Sequence, residues 1–362
     1  MSNTVTVVVD ARPLCRSNTG IGTYLEMVLK EVIRQEGHYQ LILYSDLPIR
    51  NTNLKDCSRI KMRSVGRRGV LAKISWYFYV YIWLKIDSPD IFWSPRHHLP
   101  WGISKKVKCL LTIHDLIWVT CPDTMPLLKY LSERILMPRA IRRSNTIVCV
   151  SDTTKRRLTK LYPCQASKCV TIPHGVEQNL GMYDSSSVDN VYLSVGTLEP
   201  RKNYVALIQA FDLYASRNGQ CDLVIVGARG WKFEPIFDIW KDSKYRDRIR
   251  ILTEVNDEEL TRLYYSSRGY VSASLDEGYG LPLREAQVAG LFLCISDIDV
   301  FQELFPDSDI WFNPNAIGDI ANALERFDKI TTGPKKNYLS ILNEYSWSNC
   351  ASLHHHQILK LL

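Results

Sequence analysis

Short apolar runs alternate with helix-like segments along the whole chain, and this alternation is the main indication of its fold class. In the first half, the runs that predict buried strands span residues 5–9, 40–44, 90–93, 109–113 and 146–150. In the second half, they span residues 192–195, 222–226, 249–252, 269–272 and 291–295. Because strands that alternate with helices build parallel sheets, the pattern predicts an α/β protein.

The stretch 177–190 has few large apolar residues and contains a run of three serines, which is typical of a linker. A chain of 362 residues is long enough for two domains of ordinary size. We therefore expect an N-terminal Rossmann-like domain over 1–176 and a C-terminal one over 191–345, facing each other across a cleft. Residues 346–362 predict a terminal helix.

Composition and charge narrow the class of protein. Hydrophobic residues make up 46% of the chain and charged residues 23%, as in soluble globular proteins. The net charge of +7 favours anionic partners, but no dense basic run with interleaved aromatic residues predicts nucleic-acid binding. The ten cysteines are scattered without a Cys-x-x-Cys pair, and no signal peptide follows Met1. These features predict a reduced, cytoplasmic protein.

The most apolar stretch of the chain is 74–84, which is shorter than the roughly 20 residues needed to span a bilayer. One interpretation is a buried helix packed on the first sheet. The other is a helix that lies in the membrane interface, because Trp and Tyr are frequent in the stretch and Arg67, Arg68, Lys73 and Lys85 flank it. Both hold if each face of the helix has one of these roles.

The segment Glu277-Gly-Tyr-Gly-Leu-Pro-Leu-Arg-Glu285 is the strongest candidate for a functional motif. It reads as the exit of a strand, a glycine turn and the start of a helix, and Pro282 suits the first helical turn. The helix N-terminus presents free amides to an anion. Glu277 precedes the turn and Glu285 lies within the helix. The plain alternative is a helix with two solvated acidic residues.

This segment resembles the Glu-x7-Glu motif of glycosyltransferase family 4, retaining enzymes of the GT-B fold with two Rossmann-like domains. The resemblance implies that Glu277 lies by the donor sugar and that Glu285 holds the ribose of the nucleotide. It implies that the donor also contacts the turn at Gly278, Tyr279, Gly280 and Leu281. The resemblance covers nearly the whole chain, is strongest from 191 to 285, and implies that the terminal helix packs back toward the first domain.

Two adjacent cations, Arg201 and Lys202, follow the first strand of the second half. Departure of a nucleotide diphosphate leaves negative charge that such a pair stabilises without a metal. A solvated Arg-Lys pair is the alternative. Gly196-x-x-x-x-Arg-Lys-Asn203 resembles the diphosphate clamp of the family, and Val255 stands where family members contact the base. The resemblance thus implies catalytic roles for Glu277, Arg201 and Lys202.

In the first half, too, candidate site residues follow predicted strands; here they are glycines and polar residues. Gly20 and Gly22 open a helix, but Leu25 breaks the dinucleotide pattern Gly-x-Gly-x-x-Gly, and they resemble instead the family loop under the donor phosphates. His114 and Asp115 end a buried strand, where side chains of an open α/β sheet reach the ligand. His114 resembles the catalytic histidine beside the transferred sugar, and Asp115 orients the substrate or caps a helix.

Residues His97 and His98 follow another first-half strand and are candidates for acceptor binding together with Asp115. The sequence shows one departure from the family, His174, where many relatives carry Asn before a glycine.

The sequence predicts no metal and no cofactor. Asp297-Ile-Asp299 matches the metal-binding Asp-x-Asp of another glycosyltransferase fold, but it follows a late strand and lacks partner ligands. No other His, Cys, Asp or Glu cluster has the spacing of metal ligands.

The function implied is transfer of a hexose, mannose or rhamnose first, from a nucleotide diphosphate sugar to a glycan, with GDP-mannose the favoured donor. The acceptor is expected to be lipid-linked, in O-antigen or surface polysaccharide synthesis, at the inner face of the membrane. One alternative is a nucleotide-sugar epimerase or hydrolase, in which His114 and Asp115 would activate water. Another is a non-enzymatic nucleotide-sugar binder.

Overall fold

The computed structural model describes residues 5–15, 20–35, 39–49, 54, 57–66, 70–176, 189–330 and 339–362. The chain forms two compact units. The first unit comprises Met1–Leu116, Leu131–Gly175 and Tyr345–Leu362, and the second comprises Ile117–Tyr130 and Val176–Glu344.

Each unit is built on one parallel sheet. Among the described residues, the first sheet has seven strands in the order β3-β2-β1-β4-β5-β6-β7. They are β1 (Val5–Asp10), β2 (Tyr39–Ser45), β3 (Ile60–Ser64), β4 (Ile91–Ser94), β5 (Lys108–Ile113), β6 (Thr146–Cys149) and β7 (Cys169–Thr171). The second sheet has six described strands in the order β10-β9-β8-β11-β12-β13. They are β8 (Asp189–Val195), β9 (Asp222–Val226), β10 (Ile249–Leu252), β11 (Ser267–Ser272), β12 (Phe292–Ser296) and β13 (Ile310–Phe312).

Helices follow most of the strands. Those of the first half are α1 (Gly20–Arg34), α2 (Val70–Asp87), α3 (Ile117–Thr120), α4 (Leu127–Arg143) and α5 (Asp152–Leu161). Those of the second half are α6 (Tyr204–Ser216), α7 (Glu234–Asp242), α8 (Asp257–Ser266), α9 (Leu281–Val288), α10 (Asp299–Leu304), α11 (Ile317–Ile330), α12 (Leu339–Glu344) and α13 (Trp347–Leu361). Side-chain oxygens of Ser151, Asn256 and Ser346 cap α5, α8 and α13, respectively, as their residue types favour.

The central strands are buried on both faces, which is why they read as continuous apolar runs. All four residues of β4 and of β6 are buried. The fold class predicted from the sequence is confirmed, with two Rossmann-like units that each carry a parallel sheet. Three strands were not predicted, namely β3, β7 and β13, and each lies at the edge of its sheet.

The two units differ from the predicted domains chiefly at residues 117–130, and by a single residue at Val176 and at Tyr345. Residues 117–130, expected in the first domain, belong to the second unit. Thr120 Oγ1 donates to Asp276 Oδ2 at 2.6 Å, and Trp231 Nε1 donates to the carbonyl oxygen of Thr124 at 2.8 Å. Of the expected linker, residues 177–188 lie outside the described residues, and β8 begins at Asp189.

The terminal helix α13 belongs to the first unit, where it packs against α1. The start of α13 packs closely against Gly175, the last residue of the Leu131–Gly175 segment of the first unit. A Cβ added at Gly175 would lie 2.3 Å from the backbone nitrogen of Trp347, so only glycine fits at this position. Further along the helix, His354 Nε2 meets the hydroxyl of Tyr24 at 2.6 Å, and both side chains are fully buried.

The apolar stretch 74–84 lies within α2 and has two faces. Trp76, Val80 and Trp83 are buried, whereas Tyr77, Phe78 and Tyr81 are 41%, 63% and 42% exposed. Of the four basic residues that flank the stretch, Lys85 is exposed, and Arg67, Arg68 and the side chain of Lys73 lie outside the described residues. No helix in the described part of the chain combines the length and apolar character needed to cross a bilayer.

Candidate active site

In the second unit, Glu277 brings the two predicted cations together. Arg201 Nη1 lies 2.5 Å from Glu277 Oε2, and Lys202 Nζ forms an ion pair with Glu277 Oε1. Ser274 Oγ donates to Glu277 Oε1 at 2.9 Å. Since Glu277 and Arg201 are only 8% and 9% exposed, this group of charges is largely withdrawn from solvent.

The local chain path places these cations at the carboxyl edge of the second sheet. After β8, residues 200–202 form a single tight helical turn, and Asn203 follows in the left-handed region with φ of 59°. Arg201 is held by its neighbours, because its Nη2 contacts Glu199 Oε1 at 2.8 Å and its Nη1 donates to the Asp276 carbonyl at 2.7 Å. The guanidinium is therefore fixed in position before any ligand binds.

The carboxyl of Glu277 is ionised over the whole physiological range. Burial alone would raise its pKa, but the charges of Arg201 and Lys202 outweigh burial and lower the pKa to about 2. A permanently ionised Glu277 cannot serve as a general acid at neutral pH. It can accept hydrogen bonds, and it orients both cations.

The strand that precedes these cations comes very close to its neighbour. A Cβ at Gly227 would lie 1.9 Å from the carbonyl oxygen of Gly196, so the backbone path after β9 requires glycine there. A Cβ at Gly196 would lie 2.9 Å from Cε of Lys202. Gly196 thus leaves the room that the lysine side chain occupies.

The glycine turn leads into α9 as predicted. Gly280, with φ of 91°, precedes the helix in a left-handed conformation that favours glycine, and Pro282 stands in the first turn. Gly278 and Tyr279 are buried, and Leu281 is half-buried. Their amides lie at the start of the helix, where an anion is stabilised.

The second acidic residue of the motif, Glu285, has a different environment from Glu277. Its Oε2 accepts a hydrogen bond at 2.8 Å from the hydroxyl of Tyr264, a buried residue of α8. Burial and the nearby Glu285 raise the pKa of Tyr264 well above its usual value, so the phenol stays a donor. Tyr264 orients Glu285, and no local sequence pattern indicated this role. Val255, the predicted base contact, is half-buried between β10 and α8.

In the first unit, His114 directly follows β5 and is 7% exposed. Its Nε2 lies 3.0 Å from the Pro95 carbonyl oxygen, which can only accept, so Nε2 carries the proton and Nδ1 is the acceptor. Burial and the neighbouring His97 lower the pKa of the ring to about 3. His114 is therefore neutral at physiological pH, and it can accept a hydrogen bond from a sugar hydroxyl.

The structure brings His97 and His98 next to Glu133 of α4. Glu133 Oε2 lies 3.4 Å from His97 Nδ1 and 3.0 Å from His98 Nε2. Burial would raise the pKa of Glu133, but the two histidines hold it well below its usual range. Glu133 was not among the predicted residues, because it lies in a basic helix far from either histidine in the sequence. Asp115, the third predicted acceptor residue, is half-buried after β5.

The glycine loop of the first unit is described from Gly20 onward, and residues 16–19 lie outside the described part. Gly20 is exposed at the first position of α1, and Gly22 is buried. A Cβ at Gly20 would meet no described atom within 4 Å. The next turn of the helix carries Tyr24, whose ring stacks on His174 with centroids 4.8 Å apart.

Among the described residues, no group of three or more His, Cys, Asp or Glu side chains is placed to hold a metal ion. Asp297 Oδ1 accepts a hydrogen bond from Gln302 Nε2 at 2.5 Å. Asp299 is the first residue of α10. An acidic side chain at this position interacts favourably with the positive end of the helix dipole, which gives Asp299 a structural role.

Two family models match adjacent parts of the chain. The model for glycosyltransferase family 4 matches residues 18–180, and the model for glycosyl transferases group 1 matches residues 182–338. The chain belongs to these glycosyltransferases. The first match covers most of the strands of the first sheet, and the second match covers the strands of the second sheet.

The enzyme is similar to two curated O-antigen transferases. It is 26% identical over 291 residues to O-antigen chain mannosyltransferase B of Escherichia coli, with 75% of this chain and 74% of that protein covered. It is 24% identical over 265 residues to O-antigen chain mannosyltransferase RfbU of Salmonella typhimurium, with 72% of each covered.

Solved structures show that this glycosyltransferase has the GT-B fold. A sucrose-phosphate synthase from Thermosynechococcus elongatus matches with a TM-score of 0.77 at 14% identity, covering 99% of both chains. The lipopolysaccharide outer core galactosyltransferase WaaB matches with a TM-score of 0.66 at 14% identity, again covering 99% of both chains. At this identity the likeness concerns the fold alone.

Proposed function

We propose that this glycosyltransferase transfers mannose from GDP-mannose to a lipid-linked glycan, with retention of configuration at the anomeric carbon. The observation that carries the proposal is the convergence of Arg201 and Lys202 on Glu277 directly before the N-terminus of α9. A pair of fixed cations beside the N-terminus of a helix, whose dipole favours negative charge, suits a diphosphate leaving group. The choice of mannose rests on the two O-antigen chain mannosyltransferases among the relatives.

The reaction breaks the bond between the anomeric carbon and the β-phosphate oxygen, and GDP leaves with that electron pair. The acceptor hydroxyl attacks from the face that the phosphate leaves, and the departing phosphate oxygen takes its proton. Arg201 and Lys202 stabilise the charge that grows on the diphosphate. Glu277 stays ionised throughout and holds both cations, so the protein supplies no strong base in this scheme.

The neutral ring of His114 suits a role in orienting the sugar. Its acceptor nitrogen, Nδ1, can take a hydrogen bond from a hydroxyl group, whereas a charged imidazolium could only donate. A neutral His114 near the transferred sugar also avoids repulsion with the positive charge that develops at the anomeric carbon. The epimerase or hydrolase alternative would instead need His114 or Asp115 to activate water.

The first test measures transfer directly. Purified protein is incubated with GDP-mannose, with GDP-rhamnose and with UDP-glucose, using octyl α-mannoside as a model acceptor. We expect GDP-mannose to give a disaccharide product whose new linkage is α by NMR, because retention preserves the donor configuration. Free mannose without any disaccharide would favour the hydrolase alternative, and a β linkage would contradict retention.

Transfer is expected to continue in excess EDTA. In this proposal Arg201 and Lys202 neutralise the diphosphate in place of a divalent metal, so chelation should change the rate by less than about twofold. The measurement compares initial rates of GDP release with and without EDTA. Loss of activity that Mg²⁺ or Mn²⁺ restores would contradict the metal-free proposal and direct attention back to Asp297 and Asp299.

A peripheral membrane contact is part of the same proposal, because a lipid-linked acceptor lies at a membrane surface. The candidate is an aromatic surface on the first unit, formed by Tyr77, Phe78, Tyr81, Trp101 and Ile135. Phe78, Trp101 and Ile135 are 63%, 55% and 64% exposed. Side chains of this kind are suited to the boundary between headgroups and acyl chains.

Packing and charge support this assignment. The residue next to Trp101, Gly102, lies against the ring of Tyr81, where an added Cβ would be 3.0 Å from Cδ2. Arg139 of α4 stacks on Trp101 at 3.8 Å, and Lys85 lies 4.4 Å from the Tyr81 centroid. These contacts bring Tyr81 of α2 close to the Trp101 loop, and they add cations that would meet anionic headgroups.

We expect the protein to float with anionic liposomes at low salt and to be released at high salt, because each Lys or Arg contributes about 1 kcal/mol. Phe78→Ser should weaken binding about tenfold or more, given about 1.5–3 kcal/mol for an inserted Phe side chain. Leu213→Ser, at an exposed apolar position of α6 in the second unit, is the matched control. Equal binding of both variants would contradict the role of the aromatic surface.

A further inference from the structure

The buried carboxylate of Glu133 lies between two histidines of the first unit, and neither the fold nor the proposed reaction explains its presence there. Its side chain is 12% exposed, and those of His97 and His98 are 11% and 19% exposed. Glu133 belongs to α4, whereas the two histidines are neighbours in the loop that follows β4.

The hydrogen bonds fix the proton of His97. The backbone N–H of His114 donates to His97 Nε2 at 3.1 Å, and a backbone N–H can only donate. His97 Nε2 must therefore lack a proton, and the proton of the neutral ring lies on Nδ1, which faces Glu133 Oε2. A proton on Nε2 would set two donors against each other.

The same loop holds the ring of His114. The carbonyl oxygen of Pro95, two residues before His97, accepts a hydrogen bond from His114 Nε2 at 3.0 Å. Ser94 Oγ, at the end of β4, lies 2.7 Å from the His98 carbonyl oxygen and 2.9 Å from that of Arg96, which keeps the loop folded tightly. Both the backbone and the ring of His114 thus depend on this loop, and Glu133 anchors the loop from α4.

We propose that Glu133 is a positioning residue, which accepts the Nδ1 proton of His97 and, through the His97 loop, holds the orientation of His114. The proposal rests on the proposed function, because it assumes that His114 orients the transferred sugar. Glu133 itself touches neither donor nor acceptor in this scheme. A small displacement of His114 would cost rate because orientation at the reacting carbon is strict.

The first experiment observes the tautomer by NMR of protein labelled with ¹⁵N-histidine, using His97→Gln to assign the signal among the eight histidines. We expect wild-type His97 to be protonated on Nδ1 only. A ring protonated on Nε2, or on both nitrogens, at neutral pH would overturn the proposal. This result does not depend on any donor, so it is separate from the failure of the proposed function.

The second experiment compares variants in the GDP-mannose assay with octyl α-mannoside. Glu133→Ala should lower kcat about 10–100-fold with little change in the KM for GDP-mannose, and the Nδ1 signal of His97 should shift because its N–H loses the carboxylate acceptor. Glu133→Gln, whose carbonyl oxygen can still accept from both rings, should keep the tautomer and stay within about fivefold of the wild-type kcat. A Glu133→Ala variant with wild-type kcat and an unchanged Nδ1 signal of His97 would overturn the proposal.

Asp87→Asn provides the matched structural control. Asp87 is also a buried carboxylate of the first unit, and it accepts from Arg63 Nε at 2.7 Å and from Tyr44 at 2.7 Å. Its replacement should lower the melting temperature but leave kcat unchanged. If Asp87→Asn and Glu133→Ala lowered kcat equally, general destabilisation would explain both and the proposal would fall.

Discussion

Replacing Lys202 by alanine is expected to lower kcat by about 10²–10³-fold, the usual loss when one donor to a developing negative charge is removed. Lys202 Nζ pairs with Glu277 and stands in the space that Gly196 leaves open. Steady-state rates and melting temperatures measured on the same samples separate the catalytic effect from any loss of stability. Full activity would contradict the assignment of Lys202 to the diphosphate.

Arg201→Ala should behave differently from Lys202→Ala, because Arg201 also supports the fold. It contacts Glu199 and the carbonyl of Asp276 in addition to Glu277. We expect a similar fall in kcat together with a clear drop in melting temperature. Arg217→Ala is the control for loss of a cation in the same unit, since Arg217 pairs with Glu325 on the surface and such pairs contribute about 0–1 kcal/mol.

Replacing Glu277 by alanine is expected to destabilise the protein by about 3–5 kcal/mol at pH 7, because it leaves two largely buried cations without their carboxylate. That is a large fraction of the roughly 5–15 kcal/mol by which domains are stable. The measurement is urea unfolding of wild type and variant at several pH values. Glu277→Gln is the isosteric control, which keeps the shape but removes the charge.

The pH dependence has a definite sign. The pKa of Glu277 is about 2 in the folded protein and 4.5 when unperturbed, so the ionised carboxyl stabilises the fold fully above pH 4.5. That contribution, on the order of 3 kcal/mol, is lost as the pH falls from 4.5 to about 2. The difference between wild type and Glu277→Gln should shrink over this range, and a difference independent of pH would contradict the ion-pair explanation.

The sequence predicted the buried parts of the fold better than its edges. Central strands such as β1 and β4 are covered on both faces, so their apolar runs stand out. β3 has no buried residue at all, and β7 and β13 are three residues long with one buried residue each. Edge strands with half-exposed side chains carry little periodic signal, which explains why these three were missed.

In the candidate site, residues in local sequence motifs were predicted, whereas partners far away in the sequence were not. Arg201, Lys202 and Glu277 were predicted from local motifs, and the structure brings them into contact. By contrast, Glu133 lies 36 positions from His97 in the sequence, and Tyr264 lies 21 positions from Glu285. No local pattern indicates such distant partners. The place of 117–130 in the second unit likewise depends on contacts with Trp231 and Asp276 that only the fold creates.

The position of α13 has a consequence for the order in which the two units fold during synthesis. Domains usually fold as units, the N-terminal one first. Here the first unit contains Tyr345–Leu362, and His354, Ala351 and Ile358 of α13 are fully buried within it. The second unit contains no residue beyond Glu344, so it can fold before synthesis ends. Until α13 has been synthesised, the first unit is incomplete and the surface of α1 that packs against α13 stays uncovered. Premature termination before Tyr345 should therefore expose the first unit, rather than the second, to proteolysis.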